Sequence, residues 1–301
     1  MEKVVARALV LRPSAKINLM LRVGARQPDG YHEVRTLMQS IGLSDTLTFT
    51  PRRGPFALQC RAPGVPVDES NLVWKAATAL WRSTGHTDAP KNVHVRLDKA
   101  IPSAAGLGGG SADAAATLVG LNAIWDLRRP RKELMKIAGT LGADVPFFLQ
   151  CGTALCTGKG DEVYPVDDAA RLGVVVIKPS FGVSTADAYR WLDEDRAAGV
   201  SAAHDRSPRE IEIGWPTGPV LLANDLEAPV SRRQPGIADM IDACIREGAL
   251  AAAMSGSGSA VFGIFPETVA NRAAKRLARP DWLVLLTRTL GRQEAGRRVR
   301  L

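Results

Sequence analysis

A glycine-rich segment at residues 102–116 is the part of the sequence that points most directly to chemistry. Four of the five positions from 106 to 110 are glycine, so the backbone there can approach a ligand closely. The alanine-rich stretch that follows is typical of a helix, whose N-terminus presents free N–H groups and a positive dipole end. The segment therefore predicts a phosphate-binding loop, and the hydroxyls of Ser103 and Ser111 are further groups for phosphate or a metal ion.

Three common phosphate-binding motifs do not match this loop. A P-loop requires a lysine after its last glycine, but Ser111 follows Gly110, and Gly158-Lys159-Gly160 has the wrong spacing. The dinucleotide fingerprint requires an acid on a second strand, whereas Asp126 lies at the end of the expected helix. The protein-kinase signatures His-Arg-Asp and Asp-Phe-Gly do not occur. The loop therefore indicates a phosphate-binding protein of another class.

Two patterned segments precede the loop. Lys16 and Asn18 alternate with apolar residues, so a strand there places both side chains on one face. A solvated strand face is the alternative interpretation. Residues 27–33 contain a Pro-Asp-Gly turn that presents Tyr31 and His32, for which an ordinary hairpin tip is the alternative.

Asp144 is a carboxylate in an apolar setting, just beyond an expected helix. Such a residue is either a helix cap or a functional acid. Phosphoryl transfer to an alcohol needs a phosphate loop, a cation that neutralises charge and a carboxylate that accepts the hydroxyl proton. The loop at 106–111, Lys16 and Asp144 supply these three parts, so the sequence predicts a phosphotransferase site.

A second glycine-rich stretch, residues 254–262, leads into an expected strand. Two such loops in one chain favour a nucleotide or substrate pocket that is closed from both sides. A tight turn at the entry of the strand is the alternative interpretation.

Composition limits the other functions. The 301 residues are 46% hydrophobic and 23% charged, typical of a globular protein with room for two domains. The sequence contains no apolar run of about eighteen residues, so no membrane span is expected, and the N-terminus is interpreted as a first strand rather than a signal peptide. The four cysteines form no Cys-x-x-Cys pair and do not cluster with histidines, so we expect free buried thiols and no zinc site.

The net charge is +8, and five arginines lie within residues 288–300. A nucleic-acid ligand is one interpretation of this excess. The aromatic content is only 5% and is not interleaved with basic residues, so the charge favours a polyanionic small molecule instead.

Strands and helices are expected to mix without strict alternation, which predicts the α+β class. The expected strands are residues 4–11, 16–23, 45–51, 93–98, 154–157, 172–178, 259–265 and 282–287, and the expected helices are 71–83, 112–125, 131–141, 185–193, 236–247 and 267–277. Asn71 and Ser184 are expected N-caps, and Gly142 is an expected C-cap. The polar stretch 197–219 is expected to be a loop or an insertion.

Six segments, in family order across nearly the whole chain, resemble the GHMP superfamily of small-molecule kinases. They are residues 13–19, 29–32, 102–115, 142–146, 223–226 and 254–259. The glycine loop alone marks the superfamily. The lysine strand together with Asp29-Gly30-Tyr31-His32 resembles the branch that phosphorylates a cytidine-diphosphate-linked methylerythritol in the non-mevalonate route to isoprenoid precursors.

The resemblance implies two domains: a ribosomal-S5-like domain at residues 1–160 for ATP binding and catalysis, and a ferredoxin-like domain at 161–301 on the substrate side. It implies that Lys16 and Asp144 are the catalytic pair, with Asp144 as the base toward the 2-hydroxyl of the methylerythritol. Alanines at 104 and 105 depart from a pattern that often has glycines there. The implied ATP-binding residues are Pro102, Ser103, Ala104, Ala105, Gly106, Leu107, Gly108, Gly109, Gly110, Ser111 and Ala112.

The resemblance also implies that Tyr31 and His32 hold the cytosine by stacking and hydrogen bonding, and that Asn18 contacts the substrate. An opposing aromatic side chain, Tyr189 or Phe181, would complete a sandwich around the base. ATP is the expected co-substrate and Mg²⁺ the expected ion, with no protein ligand of the metal assigned. We expect a cytoplasmic enzyme whose partners are the cytidyl substrate and ATP, with no nucleic acid and no membrane.

Two rival functions are open. Another kinase of the superfamily, for homoserine, mevalonate or a sugar, has no use for Asp29-Gly30-Tyr31-His32, because those substrates carry no cytosine. A nucleotide-binding regulatory or RNA-binding module has no need of a base such as Asp144 beside Lys16. The sequence does not predict the oligomeric state.

Overall fold

The computed structural model describes residues 8–168, 170–200, 210–211 and 220–299. The fold is mixed α and β, as predicted. The strands are β1 (Leu9–Leu11), β2 (Ser14–Arg26), β3 (His32–Ser44), β4 (Thr46–Pro55), β5 (Ala57–Cys60), β6 (Lys91–Asp98), β7 (Thr153–Thr157), β8 (Glu162–Pro165), β9 (Gly173–Pro179), β10 (Glu210–Ile211), β11 (Val220–Leu221), β12 (Ala223–Asn224), β13 (Ala251–Met254), β14 (Val261–Phe265) and β15 (Trp282–Arg288). The helices are α1 (Leu72–Arg82), α2 (Gly109–Ile124), α3 (Arg131–Leu141), α4 (Val145–Gln150), α5 (Thr185–Ala197), α6 (Glu227–Arg233), α7 (Gly236–Arg246), α8 (Glu267–Leu277) and α9 (Arg292–Arg297).

The described strands form three larger sheets and one two-stranded ribbon. Their orders are β1-β4-β6-β5, β12-β2-β3-β7-β8, β13-β14-β9-β15 and β10-β11. The long antiparallel pair β2 and β3 places Lys16 opposite Ser40 and Asn18 opposite Met38, with an irregularity between Asn18 and Met20. The first six residues of β2 are buried on both faces. This strand therefore carries its polar side chains into the interior.

Three apolar clusters hold these layers together. In the first, α1, α2 and α4 pack on the sheet of β4 and β6, and α2 approaches so closely that a Cβ on Gly120 would lie 2.6 Å from Phe49. In the second, α5, α7 and α8 cover the sheet of β9 and β14. The third contains Ile17 of β2 together with Val176 and Phe262 of the C-terminal sheet. Burial of β2 between these layers positions Lys16.

The boundary predicted near residue 160 falls in the turn between the paired strands β7 and β8. After the C-terminal sheet, the chain returns to the first apolar cluster through Leu290, Ala295 and Val299. The arginine-rich stretch is therefore folded as far as it is described. Arg292 donates to the carbonyls of Thr153 and Val166. The division into residues 1–160 and 161–301 stays a prediction.

Most predicted elements are confirmed, but β3, β5, β8, β10, β11, β12, β13, α4, α6 and α9 were not predicted, and α2 and α5 have other bounds than predicted. Helix α2 begins at Gly109, three residues before the prediction, because Gly108 in a left-handed conformation already closes its N-terminus. Strand β3 was not predicted at all, although Val34, Thr36 and Met38 alternate as a strand requires. Helix α5 continues four residues beyond the predicted end. Residues 4–7 of the predicted first strand, 201–209 and 212–219 lie outside the described residues.

The caps follow from local chemistry. The side chain of Asn71 accepts from Val73 N–H at 2.8 Å, and that of Ser184 accepts from Asp187 N–H at 3.0 Å, as predicted. Gly142 ends α3 in an extended conformation. Within the described ranges, no helix has the length and apolar character to span a bilayer. The cysteines are free thiols, three of them buried.

Candidate active site

The shape of the phosphate loop depends on glycine. Gly106 and Gly108 have φ angles of +73° and +72°, a region that side chains disfavour. A Cβ on Gly106 would overlap the carbonyl oxygen of Ser255, and one on Gly108 would lie 2.5 Å from Phe148. Neither position leaves room for another residue. Ala104 also has a positive φ, +50°.

The end of the glycine run is helical and supplies donors. Ala112 N–H bonds to the Gly108 carbonyl at 2.9 Å, so the N–H groups of Gly109, Gly110 and Ser111 have no acceptor within the helix. These three groups are the free donors that an anionic ligand would meet. Ala112 itself is fully buried in the core and does not line the cavity described below.

The second glycine-rich stretch braces the first. Ser255 Oγ donates to the Gly106 carbonyl at 2.9 Å, and Ala260 N–H donates to the Ala105 carbonyl at 3.2 Å. Asn224 Nδ2 in turn donates to the carbonyls of Met254 and Gly256 at 2.9 and 2.8 Å. The motif at residues 223–226 therefore positions this second loop, a role that the sequence did not reveal.

The structure brings Lys16 and Asp144 together. Lys16 Nζ lies 3.4 Å from Asp144 Oδ2, and their side chains are 4% and 32% exposed. The Asp144 carboxylate makes no capping hydrogen bond to α4, which removes the alternative that it is simply a helix cap. Lys16 N–H also donates to the Leu107 carbonyl at 3.0 Å, so the lysine strand is attached directly to the phosphate loop.

Asn18 lies on the same face as Lys16, as predicted, and both side chains are buried. Its Oδ1 accepts from Lys16 Nζ at 2.5 Å, while its Nδ2 donates to Thr36 Oγ1 at 2.7 Å. Thr36 Oγ1 then donates to the Met20 carbonyl. This chain of hydrogen bonds fixes the direction of the lysine, and Thr36 is a member that sequence reasoning missed.

Two side chains near Asp144 are neutral at physiological pH. Burial raises the pKa of Tyr189 to about 12, and the negative charge of Asp144 adds to this effect. Burial and the same carboxylate raise the pKa of Cys156 to about 12. Neither group is therefore an anionic nucleophile or base at that pH.

The turn at residues 27–31 delivers Tyr31 to the same region. Tyr31 is 60% exposed, and Lys159 Nζ lies 4.0 Å from the centroid of its ring. Lys159 Nζ also contacts Asp29 Oδ2 at 2.8 Å. The ammonium thus joins the β7–β8 turn to the tyrosine turn. The sequence drew attention to Lys159 only through a P-loop pattern that did not match, so its contact with Tyr31 was not predicted.

His32 is buried beside a carboxylate. Its Nε2 lies 2.9 Å from Asp193 Oδ1, and its ring centroid is 5.1 Å from that of Tyr189. Phe181, the other candidate for an opposing aromatic, packs against Gly236 and lines a separate small pocket of about 300 Å³. Of the two candidates, Tyr189 is thus the one placed beside His32.

A buried ion cluster lies behind the phosphate loop. Lys99 Nζ contacts Asp45 Oδ2 at 2.5 Å and Asp113 Oδ2 at 2.8 Å. Asp45 Oδ1 also accepts from the N–H groups of Ala100 and Ile101, whereas Asp113 Oδ1 has no partner. Burial raises the pKa of Asp113 to about 8, against the attraction of Lys99. Sequence reasoning missed this cluster.

These groups surround one cavity of about 1280 Å³, which is large enough for two ligands. Lys16, Asn18 and Asp144 line it, and so do Lys99 and Asp113. Ten of the eleven predicted ATP-binding residues line it, all except Ala112. The cavity is also lined by Tyr31, His32, Lys159, Tyr189 and Asp193, and this part is called the pyrimidine side after the prediction made from the sequence.

Comparison with known proteins agrees with this geometry. The family of GHMP kinases N terminal domain matches residues 71–152, and that of GHMP kinases C terminal matches residues 211–280. A 4-diphosphocytidyl-2-C-methyl-D-erythritol kinase from Pelotomaculum thermopropionicum is 42% identical over 91% of this chain and 96% of its own. The protein of the same name from Geobacter sulfurreducens is 39% identical over 94% and 99%.

Solved structures give the same picture. A crystal structure of 4-(cytidine 5'-diphospho)-2C-methyl-D-erythritol kinase is 32% identical, with a TM-score of 0.76 over 94% of this chain and 100% of its own. Homoserine kinase from Cytophaga hutchinsonii, at 17% identity and a TM-score of 0.70 over 98% of both chains, shares the fold alone. The chain therefore belongs to the 4-diphosphocytidyl-2-C-methyl-D-erythritol kinase family of the GHMP kinases.

Proposed function

We propose that the protein is an ATP-dependent kinase that phosphorylates the 2-hydroxyl of 4-diphosphocytidyl-2-C-methyl-D-erythritol. The observation that carries this proposal is the pairing of Lys16 with Asp144, 3.4 Å apart, in one cavity with the glycine loop. Tyr31 and His32 line the same cavity and support a cytidyl substrate.

The described residues divide the work of phosphoryl transfer. The free N–H groups at the start of α2 hold the phosphates of ATP, because backbone donors and the helix dipole both favour anions there. The partly exposed Asp144 accepts the proton of the attacking hydroxyl. Lys16, held by Asn18, stabilises the negative charge that builds up between donor and acceptor oxygens.

Mg²⁺ fits this site as an ion carried by ATP rather than by a protein cage. The described residues contain no group of three or more metal-binding side chains, and Mg²⁺ bound to a nucleotide needs only one or two protein oxygens. The Ser111 hydroxyl at the start of α2, which lines the cavity, would be a protein oxygen that holds it. When bound, the ion would neutralise charge on the phosphates.

Two rival functions have weaker support. The homoserine and mevalonate kinases among the structural neighbours are 17% identical or less, a likeness that extends to the fold alone. Neither substrate would use the pyrimidine side of the cavity. A pure nucleotide-binding or RNA-binding module would not need a lysine and a carboxylate aimed at the same place.

A coupled assay of ADP release tests the proposal. The purified full-length protein is given ATP and Mg²⁺ with the cytidyl substrate, homoserine or mevalonate in parallel. We expect ADP release with the cytidyl substrate and only background with the other two. A higher rate with homoserine or mevalonate would replace the proposed substrate.

A further inference from the structure

The contact between His32 and Asp193 has a chemical consequence for the choice of base. A carboxylate oxygen accepts hydrogen bonds but has no hydrogen to donate when it is ionised. Nε2 of His32, 2.9 Å from Asp193 Oδ1, therefore carries the ring hydrogen. In the neutral imidazole, Nδ1 is then a hydrogen-bond acceptor.

Nδ1 is also available to a ligand. Within the described parts of the chain, no group is hydrogen-bonded to Nδ1. Nδ1 is also not among the fully buried polar atoms without a partner, so a ligand can reach it. Both His32 and Asp193 line the large cavity. The side chain is otherwise buried at 5% exposure, with the Tyr189 ring beside it. The imidazole is thus held in one orientation with an acceptor nitrogen that can meet a bound base.

Cytosine and uracil differ at the position that such an acceptor would read. Cytosine carries an exocyclic amino group at C4, which donates, whereas uracil carries a carbonyl oxygen there, which accepts, as thymine does. A hydrogen-bond acceptor on the protein therefore binds the amino group of cytosine and repels the carbonyl oxygen of uracil. A histidine with the opposite tautomer would reverse this preference.

We propose that Asp193 is a specificity-determining positioning residue: by fixing the tautomer of His32, it makes the site select cytosine over uracil. The inference rests on the proposed function, because it assigns the pyrimidine side of the cavity to the cytidyl group. Asp193 acts through His32 and does not itself contact the base. Asp193 lies on α5, and the fold brings it next to His32 although the two residues are 161 positions apart in sequence.

Calorimetric titration of the full-length protein with CMP and with UMP tests the proposal. Since an unpaired buried polar group costs about 1–3 kcal/mol, we expect the wild type to bind CMP about 10- to 100-fold more tightly than UMP. Asp193→Asn keeps an acceptor oxygen but also offers an amide hydrogen to Nε2, so this contact no longer fixes the tautomer of His32. We expect the CMP-to-UMP affinity ratio to fall about tenfold or more in this variant.

Glu194→Gln is the matched control. It makes the same change of charge one residue further along α5, and its carboxylate pairs with Arg190 and Arg233 instead of His32. We expect it to keep the wild-type ratio. Equal affinities of the wild type for CMP and UMP, or an unchanged ratio in Asp193→Asn, would overturn the inference. ADP release from the cytidyl substrate would persist in either case. These results would therefore overturn the inference and leave the proposed function intact.

Nitrogen-15 NMR of the imidazoles in the wild type keeps the inference testable even where Asp193→Asn folds poorly. The chain has four histidines, so the His32 signals can be assigned with a His32→Gln sample. We expect hydrogen on Nε2 and a bare Nδ1, with the Nδ1 resonance shifting when CMP is added. Hydrogen on Nδ1 of the neutral ring would overturn the inference.

Discussion

Gly106 and Ser255, 149 residues apart in sequence, are packed so closely that a Cβ on Gly106 would overlap the Ser255 carbonyl oxygen. The hydroxyl of the same serine donates to the Gly106 carbonyl at 2.9 Å. The phosphate loop therefore takes its shape from a second loop that belongs to the C-terminal part of the chain.

Gly106→Ala should damage ATP binding more than it damages folding. The new methyl group must push the two loops apart and adopt a positive φ, which moves the donors at the start of α2. We expect the KM for ATP to rise at least about tenfold and the free energy of unfolding to fall by about 1–3 kcal/mol. Steady-state kinetics measures the KM for ATP, and urea unfolding measures the free energy of unfolding.

Gly139→Ala is the matched control for this change. Gly139 lies inside α3, and a Cβ there would have nothing within 4 Å. Since alanine favours helix over glycine, we expect this variant to gain up to about 1 kcal/mol and to keep its KM. An unchanged KM for ATP in Gly106→Ala would contradict the role assigned to the contact between the two loops.

Asp144→Asn should bind both substrates and turn over slowly. An amide has the shape of the carboxylate but cannot accept the hydroxyl proton, so kcat should fall about 10²- to 10⁴-fold. Titration with CMP and ATP should give affinities close to those of the wild type. Asp98→Asn, an exposed acid paired with Arg96 on β6, should leave kcat unchanged. Normal kcat in Asp144→Asn would rule out Asp144 as the base.

Much of this site follows from sequence because it depends on local geometry. The strand period alone places Lys16 and Asn18 on one face, and a glycine run followed by alanines predicts a loop at a helix N-terminus. The partners of these groups do not follow, because they are distant in sequence. Asp193 was only the expected last residue of a helix, and its contact with His32 spans 161 residues. In the sequence, an acid on a helix gives no sign of such a contact.

The missed strand β3 has a related cause. Residues 38–41 of β3 are buried on both faces, so the alternation visible at Val34, Thr36 and Met38 is lost there. That burial depends on layers formed by the C-terminal sheet, as the isolated bridge between Ile41 and Thr289 illustrates. Sequence periodicity reports one buried face and fails where tertiary packing buries both.

Tyr31→Ala should weaken the cytidyl substrate far more than ATP. Stacking of a base on an aromatic ring contributes about 1–3 kcal/mol, so we expect the KM for the cytidyl substrate to rise about 10- to 100-fold. The KM for ATP should change less than twofold, since Tyr31 belongs to the turn at residues 27–31 and not to the phosphate loop. Equal losses for both substrates would remove the assignment of Tyr31 to the cytosine.

Lys159→Gln should reproduce part of that loss. Lys159 holds Tyr31 through the ring contact at 4.0 Å and the ion pair with Asp29 at 2.8 Å. We expect a smaller rise in KM for the cytidyl substrate, and no added loss when Lys159→Gln is combined with Tyr31→Ala. Additive losses in this double-mutant cycle would show that Lys159 contacts the substrate independently, for example through its diphosphate.

Asp113→Asn should change how stability depends on pH. Burial raises the pKa of Asp113 to about 8 from its ordinary 3.8, so the folded protein keeps a proton that the unfolded chain releases. The wild type therefore loses stability as pH rises from about 4 to about 8. Asparagine does not titrate, so the variant lacks this loss. The free energy of unfolding of the variant minus that of the wild type should therefore increase from pH 5 to pH 8. Urea unfolding of both proteins at pH 5 and pH 8 measures this difference. An equal change in the free energy of unfolding of the two proteins would contradict the prediction.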